Sequence, residues 1–110
     1  MSAAGSDPRD QNALPVVDVL DASTLPAGAV LLDVRESDEW ADGHAPDAVH
    51  LPMSSIAIED IPSGRPVYVI CRSGNRSARV VEALLANDVE CFNVAGGMIA
   101  WADAGLPVVR

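Results

Sequence analysis

Residues 71–77 read Cys71-Arg72-Ser73-Gly74-Asn75-Arg76-Ser77, a nucleophile followed at once by two arginines, two hydroxyls, an amide and a glycine. The apolar run Val67-Tyr68-Val69-Ile70 leads into this stretch, and a helical pattern from Ser77 to Asn87 leads out of it. A cysteine at a strand end, ahead of a short polar loop and a helix start, sits where backbone N–H groups and the helix dipole favour negative charge. That placement biases the sulfur toward thiolate, its nucleophilic form. Gly74 lets the backbone curl so that successive N–H groups converge into an anion nest. Because residues 72–77 are all polar or glycine, the thiol is expected to face solvent.

Three chemistries compete for such a cysteine. A buried structural thiol is the commonest fate of an intracellular cysteine, but the polar loop argues against it. A cysteine phosphatase needs Cys, five residues, then Arg, so that the arginine fork clamps phosphate. Position 77 is Ser, and the arginine falls one residue earlier, at Arg76. The ring of amides is then one residue smaller than phosphate demands, and no acid-bearing loop stands out as a proton donor. Sulfur transfer fits the smaller cradle: the thiolate attacks the outer sulfur of a donor such as thiosulfate, a persulfide forms on Cys71, and a thiophilic acceptor removes that sulfur. Backbone amides would stabilise the anionic cysteine, while Arg72 and Arg76 attract an anionic donor and steady its leaving group.

The charge distribution points the same way. The chain carries a net charge of −9, which disfavours nucleic acid and anionic membranes as partners. All seven basic residues are arginine, so Schiff-base chemistry and a lysine-dependent phosphate loop are excluded. From Ile61 to Val81 there is no acid, but Arg65, Arg72, Arg76 and Arg79 are present. An acidic chain thus turns locally basic around its cysteine, a pattern suited to a small anionic substrate.

The elements that must position the loop follow from periodicity. With 110 residues the chain is expected to form one domain over 13–110, behind a disordered tail over 1–12. Leu14–Leu20, interrupted by Pro15 and Asp18, reads as a short edge strand, and Ser23 or Thr24 as the cap of one helical turn. Val30–Val34 is a near-continuous apolar run, the pattern of a strand buried on both faces. Ser37 reads as the N-cap of a helix ending by Gly43. A three-residue strand follows at Val49–Leu51, then a helical turn near Ser55–Glu59. Val67–Ile70 and Cys91–Val94 read as further strands, and Met98–Ala104 as a last helix with Gly105 just past its end. Strands alternating with helices predict an α/β domain: a central parallel sheet of about five strands with helices on both faces. Sites in such sheets lie beyond the C-terminal strand ends, where Cys71 and Asp33 both fall.

These segments together resemble the single-domain rhodanese, or thiosulfate sulfurtransferase-like, family. The resemblance rests on Leu32-Asp33-Val34-Arg35-Glu36, on Trp40 with Gly43-His44-Ala45-Pro46, on the loop Cys71–Ser77, and on Gly96-Gly97-Met98-Ile99-Ala100-Trp101, in that order. It covers residues 14–110. It differs from the usual family pattern at Asp47-Ala48, where a Gly-Ala pair is common. The resemblance implies the rhodanese-like fold, Cys71 as the persulfide-forming nucleophile, no cofactor, and a protein, cyanide or small thiol as acceptor. A sulfur carrier or interaction module with little turnover of its own is the alternative.

The remaining candidates read more plainly. Asp33 and Arg35 are expected to support the loop. His44 and His50 read as structural hydrogen-bonding residues, Trp40 and Trp101 as packing, and Cys91 as inert core. Two Cys and two His without ligand spacing make no zinc site. The N-terminus lacks the basic start and apolar core of a secretory signal, and no apolar run reaches the ~18 residues of a membrane span, so a cytoplasmic protein is expected.

Overall fold

Valine, leucine and isoleucine alternate between two buried faces along the central strands, and this drives the architecture. The computed structural model describes residues 14–110; the expected tail lies outside the described residues. Ten elements follow in order: strand β1 (Val16–Val17), helix α1 (Val19–Ser23), β2 (Val30–Asp33), α2 (Ser37–Asp42), β3 (Val49–His50), a 3-10 turn (Ile58–Asp60), β4 (Val67–Ile70), α3 (Asn75–Ala86), β5 (Cys91–Val94) and α4 (Gly97–Asp103). The strands form one five-stranded sheet in the order β1-β5-β4-β2-β3, and every pairing is parallel. The α/β class, the parallel sheet and its five strands are those expected.

Two cores flank the sheet. Leu32, Val67 and Val69 face α3, where they meet Ala78, Val81 and Leu84. Leu31, Tyr68 and Ile70 face the opposite side, with Val19, Ala22, Met98 and Trp101. Adjacent residues of β2 and β4 thus serve different cores, the period of two that a strand imposes. That explains why both strands read as unbroken apolar runs: neither face meets water.

Some boundaries differ from expectation, each for a local reason. The first strand stops at Val17, because Asp18 caps a helix instead: its side chain accepts a hydrogen bond from Asp21 N at 2.9 Å. Ser23 and Thr24 end that helix rather than start one; both hydroxyls donate to the Leu20 carbonyl, at 2.7 and 3.2 Å. The cap of α2 is Glu36, not Ser37, and its N–H donates to Glu39 Oε1 at 3.1 Å. The turn expected at Ser55–Glu59 is the 3-10 turn at Ile58–Asp60. Helix α3 begins at Asn75, two residues early, because Gly74 takes the left-handed conformation (φ 105°) that starts it. Past α4, Gly105 N donates to Ala102 O and Leu106 N to Trp101 O, closing the helix as a Schellman motif.

The end of β2 holds the most demanding polar group. Asp33 is fully buried, and its carboxylate accepts from Arg35 Nε at 3.1 Å and Nη2 at 2.9 Å. Removing one partner of a buried ion pair leaves a desolvated charge alone. Asp33→Ala is therefore expected to cost about 3–5 kcal/mol in urea unfolding; a loss under about 1 kcal/mol, the size of a surface pair, would contradict this account.

Candidate active site

β4 ends at Ile70, so Cys71 is delivered to the C-terminal edge of the sheet, beside the end of β2. Residues 72–74 turn the chain and α3 begins at Asn75. The sulfur lies inside this turn. Gly74 N donates to Cys71 Sγ at 3.1 Å, and Ser77 Oγ lies 3.2 Å from the same atom. Cys71 is only 1% exposed. The expectation of a solvent-facing thiol is thus corrected: Arg72, Ser73 and Asn75 are exposed, while Ser77 and the loop backbone close over the sulfur. Gly74 and Ser77 are buried.

A second element holds the loop from behind. At the start of α4, Met98 N donates to Cys71 O at 2.8 Å, and Ile99 N donates to Arg72 O at 3.0 Å. Gly97 makes that approach possible. It has φ 55°, and a Cβ there would collide with the Cys71 and Arg72 carbonyls. The Gly-Gly pair is therefore more than a sharp turn; it lets a helix start press against the loop backbone.

Arg76 takes a different place from the one expected of it. Its Nη1 and Nη2 donate to Glu39 Oε1 and Oε2, each at 2.7 Å. This fork-to-fork pair ties the first turn of α3 to α2, so the guanidinium is engaged by protein rather than open to a donor. Those hydrogen bonds hold the Glu39 carboxyl down at about 2, with smaller help from the Glu36 N–H and the charges of Arg76 and Arg35. The same bonds push Arg76 up, and the negative charges of Glu39 and Glu36 add to the effect. Arg72 differs: it is exposed, and its guanidinium has no hydrogen bond or ion pair among the described residues. It lines a cleft of about 330 Å³ beside the loop, with Arg35, Glu39, Asp42, Met98, Ile99 and Ala102.

Asp33 and Arg35 make no hydrogen bond or ion pair to residues 71–77. Arg35 Nη1 donates to Glu39 O at 3.2 Å and Nη2 to Gly43 O at 2.7 Å. The pair thus fastens α2, which carries Glu39 to Arg76. His44 Nδ1 donates to Trp40 O at 3.0 Å and His50 Nε2 to Arg35 O at 2.7 Å; both rings stack on Trp40, with centroids 3.5 and 4.6 Å away. Trp101 is core, with Nε1 donating to Pro107 O at 2.8 Å. Cys91 pairs in register with Val67, four residues before Cys71, which separates the two thiols by about 13 Å along the strands. Burial pushes the Cys91 thiol up to about 11.

Three contributors escaped the sequence reading. Glu39 is one of two acids in the first turn of a short helix, Asn93 one residue of a strand, and Gly97 the second of two adjacent glycines. Asn93 alone left a usable signal, as an amide inside an otherwise apolar strand. It is 1% exposed, accepts from Ser77 Oγ at 2.5 Å and donates from Nδ2 to Gly74 O at 3.1 Å.

The Arg76–Glu39 pair makes a pH prediction. A carboxyl held at about 2 instead of its ordinary 4.5 contributes stability that is fully present above pH 4.5 and is lost as pH falls through about 2. Glu39→Gln is expected to melt below the parent at pH 7, with the gap in melting temperature closing between pH 4.5 and 2. A gap of constant size across that window would show that the ion pair is not its source.

The chain is similar to proteins of one known family. The model of the rhodanese-like domain family matches residues 12–104. A sulfurtransferase of Allochromatium vinosum is 43% identical over 83 residues, which span 73% of this chain and 78% of that protein. Thiosulfate sulfurtransferase GlpE of Pseudomonas syringae pv. syringae is 36% identical over 77 residues, 67% of this chain and 73% of that one. Among solved structures, a rhodanese-related protein from Thermoplasma volcanium superposes with a TM-score of 0.79 at 30% identity, covering 86% of this chain and 97% of that one.

Proposed function

The chain belongs to the rhodanese-like domain family, and from that premise we propose that it moves a sulfane sulfur from thiosulfate, or another persulfide donor, to a thiophilic acceptor through a persulfide on Cys71. The observation that carries this reading is the seat of the sulfur: Cys71 Sγ lies in the turn between β4 and α3, with the Gly74 N–H aimed at it from 3.1 Å. A backbone donor fixed in a water-poor site stabilises negative charge without having to reorganise.

The step balances simply. The Cys71 thiolate attacks the sulfane sulfur of thiosulfate and forms a new S–S bond. The old S–S bond breaks, and its electron pair leaves with sulfite. Cyanide, or an acceptor thiolate, then attacks the outer sulfur of the persulfide; the Cys71–sulfur bond breaks, and its electron pair restores the Cys71 thiolate. Arg72, exposed at the cleft beside the loop, meets the anionic donor. Arg76, occupied by Glu39, acts as a strut that keeps the turn closed, and Asp33 with Arg35 supports it through α2.

The reading assigns a small anionic donor and a small or protein thiol as acceptor, with no cofactor. It places the protein in the cytoplasm, where thiols stay reduced. Cys71 and Cys91 are both free. No helix among the described residues is long and apolar enough to cross a membrane.

Thiosulfate treatment is expected to add the mass of one sulfur to Cys71, and cyanide to release it as thiocyanate. Cys71→Ser should abolish both; thiocyanate production surviving that change would sink the proposal. Arg72→Ala is expected to raise KM for thiosulfate about tenfold, the scale of one charge-assisted hydrogen bond, with kcat changed less. A KM unaffected by that change would remove Arg72 from donor binding. If the persulfide forms but turnover to small acceptors is negligible, the protein acts as a sulfur carrier.

A further inference from the structure

Behind the loop, a few buried polar groups share a small number of protons, and their count gives Asn93 a role. Asn93 Nδ2 lies 3.1 Å from the Gly74 carbonyl. A carbonyl oxygen only accepts, so the amide nitrogen must face it and Oδ1 must face the other way. Oδ1 lies 2.5 Å from Ser77 Oγ. An amide oxygen also only accepts, so the single Ser77 hydroxyl proton is directed to Asn93. Ser77 Oγ is 3.2 Å from Cys71 Sγ as well, and what remains for the sulfur is a lone pair. This arrangement is complete when the sulfur carries its own proton and donates it to Ser77. All three residues are 1% exposed or less, so the buried groups must satisfy one another.

Remove the sulfur's proton and the count fails. A thiolate, or the inner sulfur of a persulfide, has nothing to donate, and Ser77 then turns a lone pair toward another lone pair. Rotating the Ser77 hydroxyl gives its proton to the sulfur, but Asn93 Oδ1 is then buried without a donor. We propose that Asn93 is a positioning residue that competes with Cys71 for the Ser77 proton and so restrains the anionic state of the sulfur. No bond to Asn93 forms or breaks. The Cys71 proton leaves to water, and one hydroxyl rotation moves one hydrogen bond from Oδ1 to Sγ. The inference rests on Cys71 as the reacting group, but it does not depend on the identity of donor or acceptor.

The test is the rate at which iodoacetamide alkylates Cys71 at pH 7, followed by peptide mass. This reads the anionic sulfur and requires no sulfur transfer. Asn93→Leu keeps the bulk and removes the acceptor, and the Gly74 carbonyl still accepts from Ala78 N at 3.2 Å. Alkylation is expected to quicken about fivefold, the scale of one neutral hydrogen bond gained by the sulfur. Asn93→Asp offers Ser77 a stronger acceptor and is expected to slow alkylation by about the same factor. In a Ser77→Ala background, Asn93→Leu should change the rate by less than about twofold, because its effect passes through the hydroxyl. A purely structural role would move Asn93→Leu and Asn93→Asp in the same direction and would persist without Ser77; either result overturns the proposal. Should Asn93→Asp fail to fold, the cycle with Ser77→Ala decides. Persulfide formation on the unaltered protein is scored separately: its absence, with the alkylation cycle as expected, would overturn the sulfur-transfer reading and leave Asn93 in its role.

Discussion

A guanidinium sealed inside a protein must have its charge cancelled and its N–H groups used, and satisfying Arg35 organises the working end of this sheet. Asp33, at the end of β2, cancels the charge. The N–H groups that remain reach the carbonyls of Glu39 and Gly43, so α2 hangs from β2 by polar contacts. Helix α2 has no buried residue of its own and needs such an anchor. Once anchored, it presents Glu39 to Arg76 in the first turn of α3. Glu36, at the head of the same helix, accepts from Ser54 Oγ at 2.6 Å and ties down the next loop. A buried charge beside one strand is thus transmitted, contact by contact, to the turn that holds the sulfur.

The parts of the structure that depend on local pattern were legible in the sequence. β2, β4 and β5 appear because continuous apolar runs have few alternatives when both sheet faces are covered. The cysteine turn was visible because a cysteine, a glycine and two arginines fall within seven consecutive residues. Where two local signals conflicted, the reading failed. Val19 and Leu20 extend an apolar run, yet Asp18 beside them caps a helix, and the cap prevailed.

Partners distant in sequence were not legible. Nothing near Arg76 announces that Glu39, 37 residues earlier, will occupy it. Nothing near Cys71 announces that the start of α4 will close the turn from behind, and this is why a loop of polar residues still buries its sulfur. The composition of the loop described what its side chains meet. The exposure of its sulfur depended on the backbone and on helices brought from elsewhere in the chain. Asn93 stands between these cases. Its polarity inside an apolar strand marked it, but its role required two distances that only the fold supplies.

The lengths of the strands carry one more consequence. The sheet's outermost members, β1 and β3, are two residues each, whereas the three inner strands have four. An unpaired strand edge is a template on which another chain can add itself, and the hazard grows with its length. Here the template is little longer than a single turn of pairing. Among the described residues, the all-parallel sheet therefore offers almost no ladder for sheet-to-sheet addition at either edge.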